Sequence, residues 1–278
     1  MKNPKIMYIL ISVFCVFAII AGIYAQFIES EPTSIGEMDE NENILQEKSQ
    51  EEIKDIFNQL FTNTLNLGAF DITGIQKIKQ DQNIVYSAFD IEEKTDAYEV
   101  NMHIPVINIK SELANKFNQI TQVTFINKAN EILKNTDVNK KMIYSIDFTA
   151  NVNNDILSLV IRSTLKEGSS AQRVIVQTYN YNLSTNTEAS LVDLINIKML
   201  NKEEVNNKIK EVVTKANEED ETLKNMGYNQ IYTRDLTSDI YNVDNAGAYF
   251  LGPNQELYIV YAYGNSEFTS KMDIVLFE

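Results

Sequence analysis

Residues 142–183 read MIYSIDFTANVNNDILSLVIRSTLKEGSSAQRVIVQTYNYNL, in which β-branched and aromatic side chains dominate three blocks. Blocks of this composition predict strands, here Met142–Val152, Asp155–Leu165 and Arg173–Leu183. The links between them are only Asn153-Asn154 and Glu167-Gly168-Ser169-Ser170. A parallel crossover needs a much longer connection, so the three strands are predicted to be antiparallel neighbours.

Two more strands and a long helix are predicted upstream of this block. Ile84–Phe89 is the first strand, and in the second, Tyr98 to Val106, apolar and polar residues alternate. Pro105 has no amide hydrogen, which confines that strand to an edge or an end. A helical pattern then runs from Ser111 to about Asn135, with the apolar stripe Leu113, Phe117, Ile120, Thr124, Ala129, Ile132 and Leu133.

Helix-start signals mark three further helices. Ser49 with Glu52 has the pattern of a capping box, and it precedes apolar residues at helical spacing (Ile53, Ile56, Phe57, Leu60 and Phe61). That apolar face is expected to be buried; a dimerisation helix beside a membrane is the alternative. Ser190 with Asp193 starts a short turn or helix, and Asn201 with Glu204 caps another that turns these residues inward: Val205, Ile209, Val212 and Val213.

The chain ends in three short strands, Ala248–Leu251, Leu257–Tyr263 and Met272–Phe277. Strands and helices therefore occur in blocks and do not alternate regularly. This order predicts an α+β fold with antiparallel sheets packed against a few amphipathic helices, preceded by one N-terminal transmembrane helix.

The transmembrane prediction rests on Ile6–Phe27, a run without a charged residue. A helix of this length spans a hydrocarbon core of about 30 Å. Lys2 and Lys5 precede the run and only acidic charges follow it closely, so the short N-terminus is expected in the cytoplasm and the rest outside it. A cleaved signal peptide is the alternative. The expected layout is a tail (1–5), an anchor (6–27), an acidic stalk (28–48) and two α+β modules (49–183 and 184–278).

Composition narrows the range of partners. The net charge of −15 and the pI near 4.6 argue against nucleic acid and anionic lipid headgroups, and they favour a cationic partner or serve solubility alone. Cys15 is the only cysteine in the sequence, which excludes an intramolecular disulfide and a thiolate metal cluster. No cofactor is expected.

Several segments resemble a known pair of families. The strand VIVQTYNYNL (174–183), followed by Thr185-Asn186 and Leu191-Val192-Asp193-Leu194, is similar to the strand, turn and "L-x-D-L" start of the RsiV C-terminal-like domain. VNMHIPVI (100–107), with the helix Ser111–Asn135 and the strand ILSLVI (156–161), resembles the accessory N-terminal module of PdaC-type peptidoglycan deacetylases. The resemblance extends from about Tyr86 to Phe277 and assigns the two modules, PdaC-accessory-like and RsiV-like.

The resemblance implies an extracytoplasmic, mostly Gram-positive domain of unknown function on a single-span anchor. The best-known members capture lysozyme and thereby trigger cleavage of an anti-sigma factor. Only Met1–Lys5 precede the anchor here, too few residues to hold a sigma factor, and the deacetylase domain with its metal-binding Asp and His residues is missing. The loop 168–172 also lacks the Gly-His-type composition of relatives.

Few residues suit catalysis. His103 is the one histidine, and alternation directs it to solvent or a polar interface, without the G-x-S-x-G turn of a serine hydrolase. Carboxylates are abundant, but nothing in the sequence singles out an acid/base pair. Tyrosine suits both cores and recognition surfaces, so a binding surface is expected near the following strand and loop residues: Tyr179, Tyr181, Tyr261, Tyr263, Ser169 and Gln172.

The sequence therefore predicts a non-enzymatic, membrane-anchored extracytoplasmic binding or sensor domain. Its expected ligand is a cationic protein such as lysozyme, or a cell-wall component. A cell-wall-modifying hydrolase with paired carboxylates and a purely structural envelope protein are the alternatives.

Overall fold

A computed structural model describes residues 48–229, 231–263 and 270–278, which form one compact unit. Within these ranges lie four α-helices: α1 (Gln50–Gln59), α2 (Glu112–Ile132), α3 (Leu191–Ile197) and α4 (Lys202–Asn225). The strands are β1 (Thr64–Asn66), β2 (Val85–Lys94), β3 (Tyr98–Ile107), β4 (Met142–Asn153), β5 (Ile156–Glu167), β6 (Arg173–Asn182), β7 (Thr187–Glu188), β8 (Ala248–Leu251), β9 (Leu257–Ala262) and β10 (Met272–Phe277). The mixed α+β fold is confirmed.

The larger sheet has the order β2-β3-β4-β5-β6-β7, with β1 also beside β4. The antiparallel pairing of β4, β5 and β6 is confirmed along their full lengths. The smaller sheet, β10-β9-β8, is antiparallel throughout. The capping box predicted for Ser49 with Glu52 is confirmed. The helix starts predicted at Ser190 with Asp193 and at Asn201 with Glu204 are also confirmed, and each proves to be a capping box.

The larger sheet is not wholly antiparallel, which corrects one expectation. β3 and β4 run parallel, with Tyr98 opposite Met142, because α2 carries the chain back between them. β1 also pairs in parallel with β4, from Thr64 opposite Thr149. Pro105 lies beyond the part of β3 that pairs with β4, next to a register shift in β2, where a missing amide hydrogen is tolerated.

The helix α2 covers one face of the larger sheet, and the predicted stripe is confirmed in part, at Phe117, Ala129 and Ile132. Its buried residues are Ala114, Phe117, Asn118, Thr121, Phe125, Ala129 and Ile132. Leu113 and Ile120, which were expected to be buried, are 39% and 51% exposed. The sheet thus contacts a face rotated from the most apolar one, and the amide of Asn118 accounts for part of this choice. That amide bonds both the N–H and the carbonyl of Ile107 at 2.9 Å.

The smaller sheet is buried on both faces. One face, with Phe250, Tyr258 and Ile274, shares a core with α1 and with Val160 of β5. The other face, with Ile259 and Val275, packs against α3 and α4. The burial predicted for the apolar face of α1 is confirmed by Ile53 and Phe57.

A row of polar side chains on β5 and β6 bonds the outer backbone edge of β8. The hydroxyl of Ser158 accepts a hydrogen bond from the Leu251 N–H at 3.1 Å and donates to the Asn180 amide at 2.6 Å. That amide in turn donates to the Tyr249 carbonyl at 2.8 Å. Buried backbone groups need hydrogen-bond partners, and along this edge of β8 the side chains supply the bonds that a neighbouring strand would otherwise make.

The predicted tail, anchor and stalk up to residue 47 lie outside the described residues. Among the residues that are described, no helix combines the length and hydropathy needed to cross a membrane. The boundary expected between residues 183 and 184 falls between β6 and β7, and the division into two modules stays a prediction.

Candidate ligand-binding groove

A groove of about 400 Å³ lies between α1, the β5–β6 pair and the start of β10. Apolar residues line part of it, namely Phe57, Val174, Met272 and Ile274. Its polar lining comes from Lys54, Asn58, Arg162, Thr164, Gln172, Ser270 and Lys271. None of these described lining residues is Asp or Glu, although the chain as a whole carries a net charge of −15. The described lining therefore combines apolar side chains with three cations and no carboxylate.

Lys54 is a half-buried cation that α1 contributes to the groove. It lies one residue after buried Ile53 on α1, and the capping box at Ser49 fixes where this helix begins. The Gln50 amide donates to the Ile274 carbonyl at 3.2 Å, which ties the same helix to β10. Burial lowers the pKa of Lys54, and the charge of Asp273 offsets part of that effect.

The other two cations differ in how they are compensated. Arg162 donates to the Asn58 amide oxygen at 2.9 Å, lies over the Phe61 ring at 4.2 Å and faces Asp147 at 3.7 Å. Burial lowers the pKa of Arg162, while Asp147 acts in the opposite direction. Neither Lys54 nor Lys271 forms a salt bridge with a residue in the described ranges. Both ammonium groups thus lack a salt-bridge partner among the residues that the structure describes.

Comparisons with known proteins give no functional assignment. No family model matches the chain, and no curated protein matches it. A crystal structure of a DUF3298-family member from Bacteroides fragilis is similar at 15% identity, over 64% of this chain and 79% of that one, with a TM-score of 0.34. DUF3298 denotes a domain of unknown function, and a similarity at this level supports no argument about activity. The resemblance to RsiV and PdaC domains stays a prediction.

Of the predicted binding residues, Gln172 lines the groove. Ser169 is exposed in the same β5–β6 turn but is not part of the lining. Tyr179 and Tyr181 lie on the opposite face of the sheet, under α2. The ring of Tyr179 stacks on Phe117 at 4.6 Å, and Tyr181 is fully buried with its hydroxyl on Asn186. These two tyrosines pack in the core and do not meet the groove.

The remaining predicted tyrosines, on and just after β9, also have internal partners. Tyr261 is 3% exposed and donates to the Asn242 carbonyl at 2.8 Å. The ring of Tyr263 lies 4.3 Å from the guanidinium of Arg234. Burial raises the pKa of both phenols.

Arg234 forms a buried ion-pair cluster close to the groove. Its Nε donates to Asp273 at 2.7 Å, Nη2 donates to the same carboxylate at 2.5 Å, and Nη1 donates to Asp220 at 2.7 Å. Burial alone would lower the pKa of Arg234, but the hydrogen bonds and charge of Asp273 outweigh burial and raise it. The cluster joins α4, the segment after it and β10. We name this cluster the Arg234 latch.

Other candidate chemistry is dispersed. His103 is half-buried, and its Nδ1 lies 2.7 Å from Oδ1 of the exposed Asp90. In the described part of the chain, no group of three or more His, Cys, Asp or Glu residues could hold a metal ion. Asp220 and Asp273 are carboxylates that converge, and the Arg234 guanidinium stands between them.

Sequence reasoning missed Lys54, Arg162 and Lys271 as site residues. They are more than 100 positions apart from one to the next, and none belongs to a motif. A usable signal was nevertheless present for Arg162, because it is a charged residue inside the apolar run of β5.

Proposed function

We propose that this chain is a non-catalytic, membrane-anchored extracytoplasmic binding domain that recognises an anionic group of a cell-envelope-related ligand. The observation that carries the proposal is the groove, where Lys54, Arg162 and Lys271 meet without a carboxylate in the described lining. The apolar lining residues add contact area for the body of the ligand, as in many ligand sites.

Local charge outweighs the net charge at such a site. At physiological ionic strength the Debye length is about 8 Å, so acidic residues elsewhere on the surface are largely screened. An anion about 4 Å from one ammonium gains roughly 4 kcal/mol near a protein surface before desolvation is counted. The two ammonium groups without an ion-pair partner among the described residues are the source of this attraction.

The groove favours an envelope component over the cationic protein that was the other expected ligand, because like charges would meet there. The hydrolase alternative would need two carboxylates free to exchange protons. Asp220 and Asp273 instead both accept hydrogen bonds from Arg234, an arrangement suited to holding segments together.

The test is calorimetric titration of the full chain in a nonionic detergent, at two salt concentrations. The probes are glycerol phosphate and N-acetylmuramyl dipeptide as anions, and lysozyme as the cationic alternative. We expect the anions to bind, and Lys54→Gln and Lys271→Gln each to weaken binding about 5–10-fold, as for a charge pair worth roughly 1 kcal/mol.

The matched control is Lys224→Gln, which removes an exposed lysine near the end of α4. It is expected to leave affinity unchanged. Anion binding that ignores both groove variants would refute the groove as the site. Binding of lysozyme alone would return the ligand to a cationic protein, and no binding at all would favour a structural role.

A further inference from the structure

The outer edge of β6 is an open strand edge. On its inner side β6 pairs with β5 over ten residues, but on the outer side its only described strand partner is β7, at Tyr181 and Asn182. The Ala189 N–H donates to the Asn180 carbonyl on that outer side, whereas the Leu183 N–H donates to the Asp155 backbone carbonyl on the side of β5. Because backbone directions alternate along a strand, the N–H and carbonyl groups of Val174, Val176 and Thr178 point outward.

This edge lacks the features that protect sheet edges. The opposite edge strand, β2, carries Asp90, Glu92, Glu93 and Lys94 and contains a register shift. In β6 the one charged residue is Arg173, whose guanidinium pairs with Glu167, and the strand contains neither a proline nor a bulge. Ile175 on this strand is 58% exposed. An unprotected, β-branched edge is the kind that accepts another strand.

The open edge and the groove share a residue. Val174 supplies outward backbone groups and also lines the groove, and its register partner Thr164 lines the groove beside it. An added strand would lie about 4.8 Å from β6. Its side chain opposite Val174 would stand on the groove face of the sheet, on the side of Lys54 and Lys271.

We propose that β6 is a strand-addition site for an extended acidic peptide segment of a partner protein. This rests on the proposed function, since an acidic side chain of that segment is the anionic group that the groove receives. Backbone pairing with Val174, Val176 and Thr178 supplies affinity, and the groove cations select the acidic side chain. A second copy of the chain is the competing occupant, and the hydrogen-exchange experiment separates it from a partner peptide.

The probe is the fluorescent peptide Thr-Glu-Val-Glu-Val-Glu-Thr, blocked at both ends, and its counterpart has lysine in place of glutamate. Binding to the full chain in nonionic detergent is measured by anisotropy and by amide hydrogen exchange. We expect the acidic peptide to bind at least 10-fold more tightly than the lysine peptide. We also expect it to slow exchange at Val174, Val176 and Thr178.

Two peptides N-methylated at alternate positions provide the control for backbone pairing. In the first peptide the methyl groups replace the amide hydrogens that face β6, and its affinity should fall at least 10-fold. In the second peptide they replace the amide hydrogens that face away from β6, and its affinity should stay unchanged. Val176→Pro removes an outward donor and leaves the β5 ladder intact, so it should weaken binding similarly. If that variant does not fold, the N-methylated pair decides the question.

Equal binding of the two N-methylated peptides, or no slowing at the three amides, would overturn the proposal. Concentration-dependent slowing without peptide would also overturn it and assign the edge to a second copy. If glycerol phosphate binds and the acidic peptide does not, strand addition fails while the proposed function stands. If neither binds, both proposals fail.

Discussion

Replacing Arg234 by methionine should cost the domain about 3–5 kcal/mol of unfolding free energy, the usual effect of leaving a buried charge without its partner. The Arg234 side chain is 2% exposed and Asp273 is 0% exposed, so water cannot replace the lost guanidinium. Methionine keeps most of the side-chain length but removes three hydrogen bonds, two of them to Asp273. Asp220 is 20% exposed, so water can solvate part of its carboxylate, and it is destabilised less than Asp273 by the loss of the guanidinium.

The assay is urea unfolding of residues 48–278, followed by far-ultraviolet circular dichroism. For a domain of this size the loss corresponds to a fall in Tm of roughly 6–20 °C. The matched control is Arg173→Met, which removes an arginine of the same length from the exposed salt bridge with Glu167. An exposed pair contributes about 0–1 kcal/mol, so this control should stay near the parent.

The double variant Arg234→Met with Asp273→Asn separates the cost of the unpaired Asp273 charge from the cost of lost side-chain packing at position 234. Removing the second charge relieves the penalty that the first substitution creates, so the double variant should be more stable than Arg234→Met alone. Two outcomes would refute the reasoning. One is a cost for Arg234→Met no greater than that of Arg173→Met, and the other is a double variant that loses the sum of both single changes.

Two further predictions concern the polar side chains that bond the outer backbone edge of β8, and the capping box at the start of α3. Ser158→Ala should cost about 1–3 kcal/mol in urea unfolding, because the buried Leu251 N–H loses its acceptor, whereas Ser184→Ala on the exposed turn should cost little. The Ser190 hydroxyl and backbone N–H lower the pKa of Asp193 in the folded protein. The ionised carboxylate therefore stabilises the fold above its unfolded pKa of about 3.9, and this stabilisation is lost as the pH falls through the lower pKa of the folded state. Asp193→Asn should therefore destabilise the domain at pH 7 and make little difference near pH 2; a pH-independent loss would contradict this.

The local signals in the sequence predicted local structure well. Capping boxes such as Ser49 with Glu52 involve residues three positions apart, and blocks of β-branched and aromatic residues predicted β4, β5 and β6 at close to their observed bounds. The short links between those strands left antiparallel pairing as the only geometry. These features need no knowledge of distant parts of the chain.

Features that depend on distant contacts were missed or displaced. The strand β1 has only three residues, too few for a period, and it exists because β4 offers an unpaired edge there. The parallel pairing of β3 with β4 follows from the return path through α2. The exposure of Ile120 follows from which face of that helix the sheet contacts. The local sequence pattern predicts neither this exposure nor the parallel pairing.

The candidate site shows the same division. The sequence by itself determined strands, caps and an acidic composition, because each depends on neighbours within a few residues. Only the tertiary structure brought Lys54, Arg162 and Lys271 into one groove and paired Arg234 with Asp273. The physical reason is that electrostatic and hydrogen-bonding partners are selected by distance in space, and chain separation carries almost no information about it.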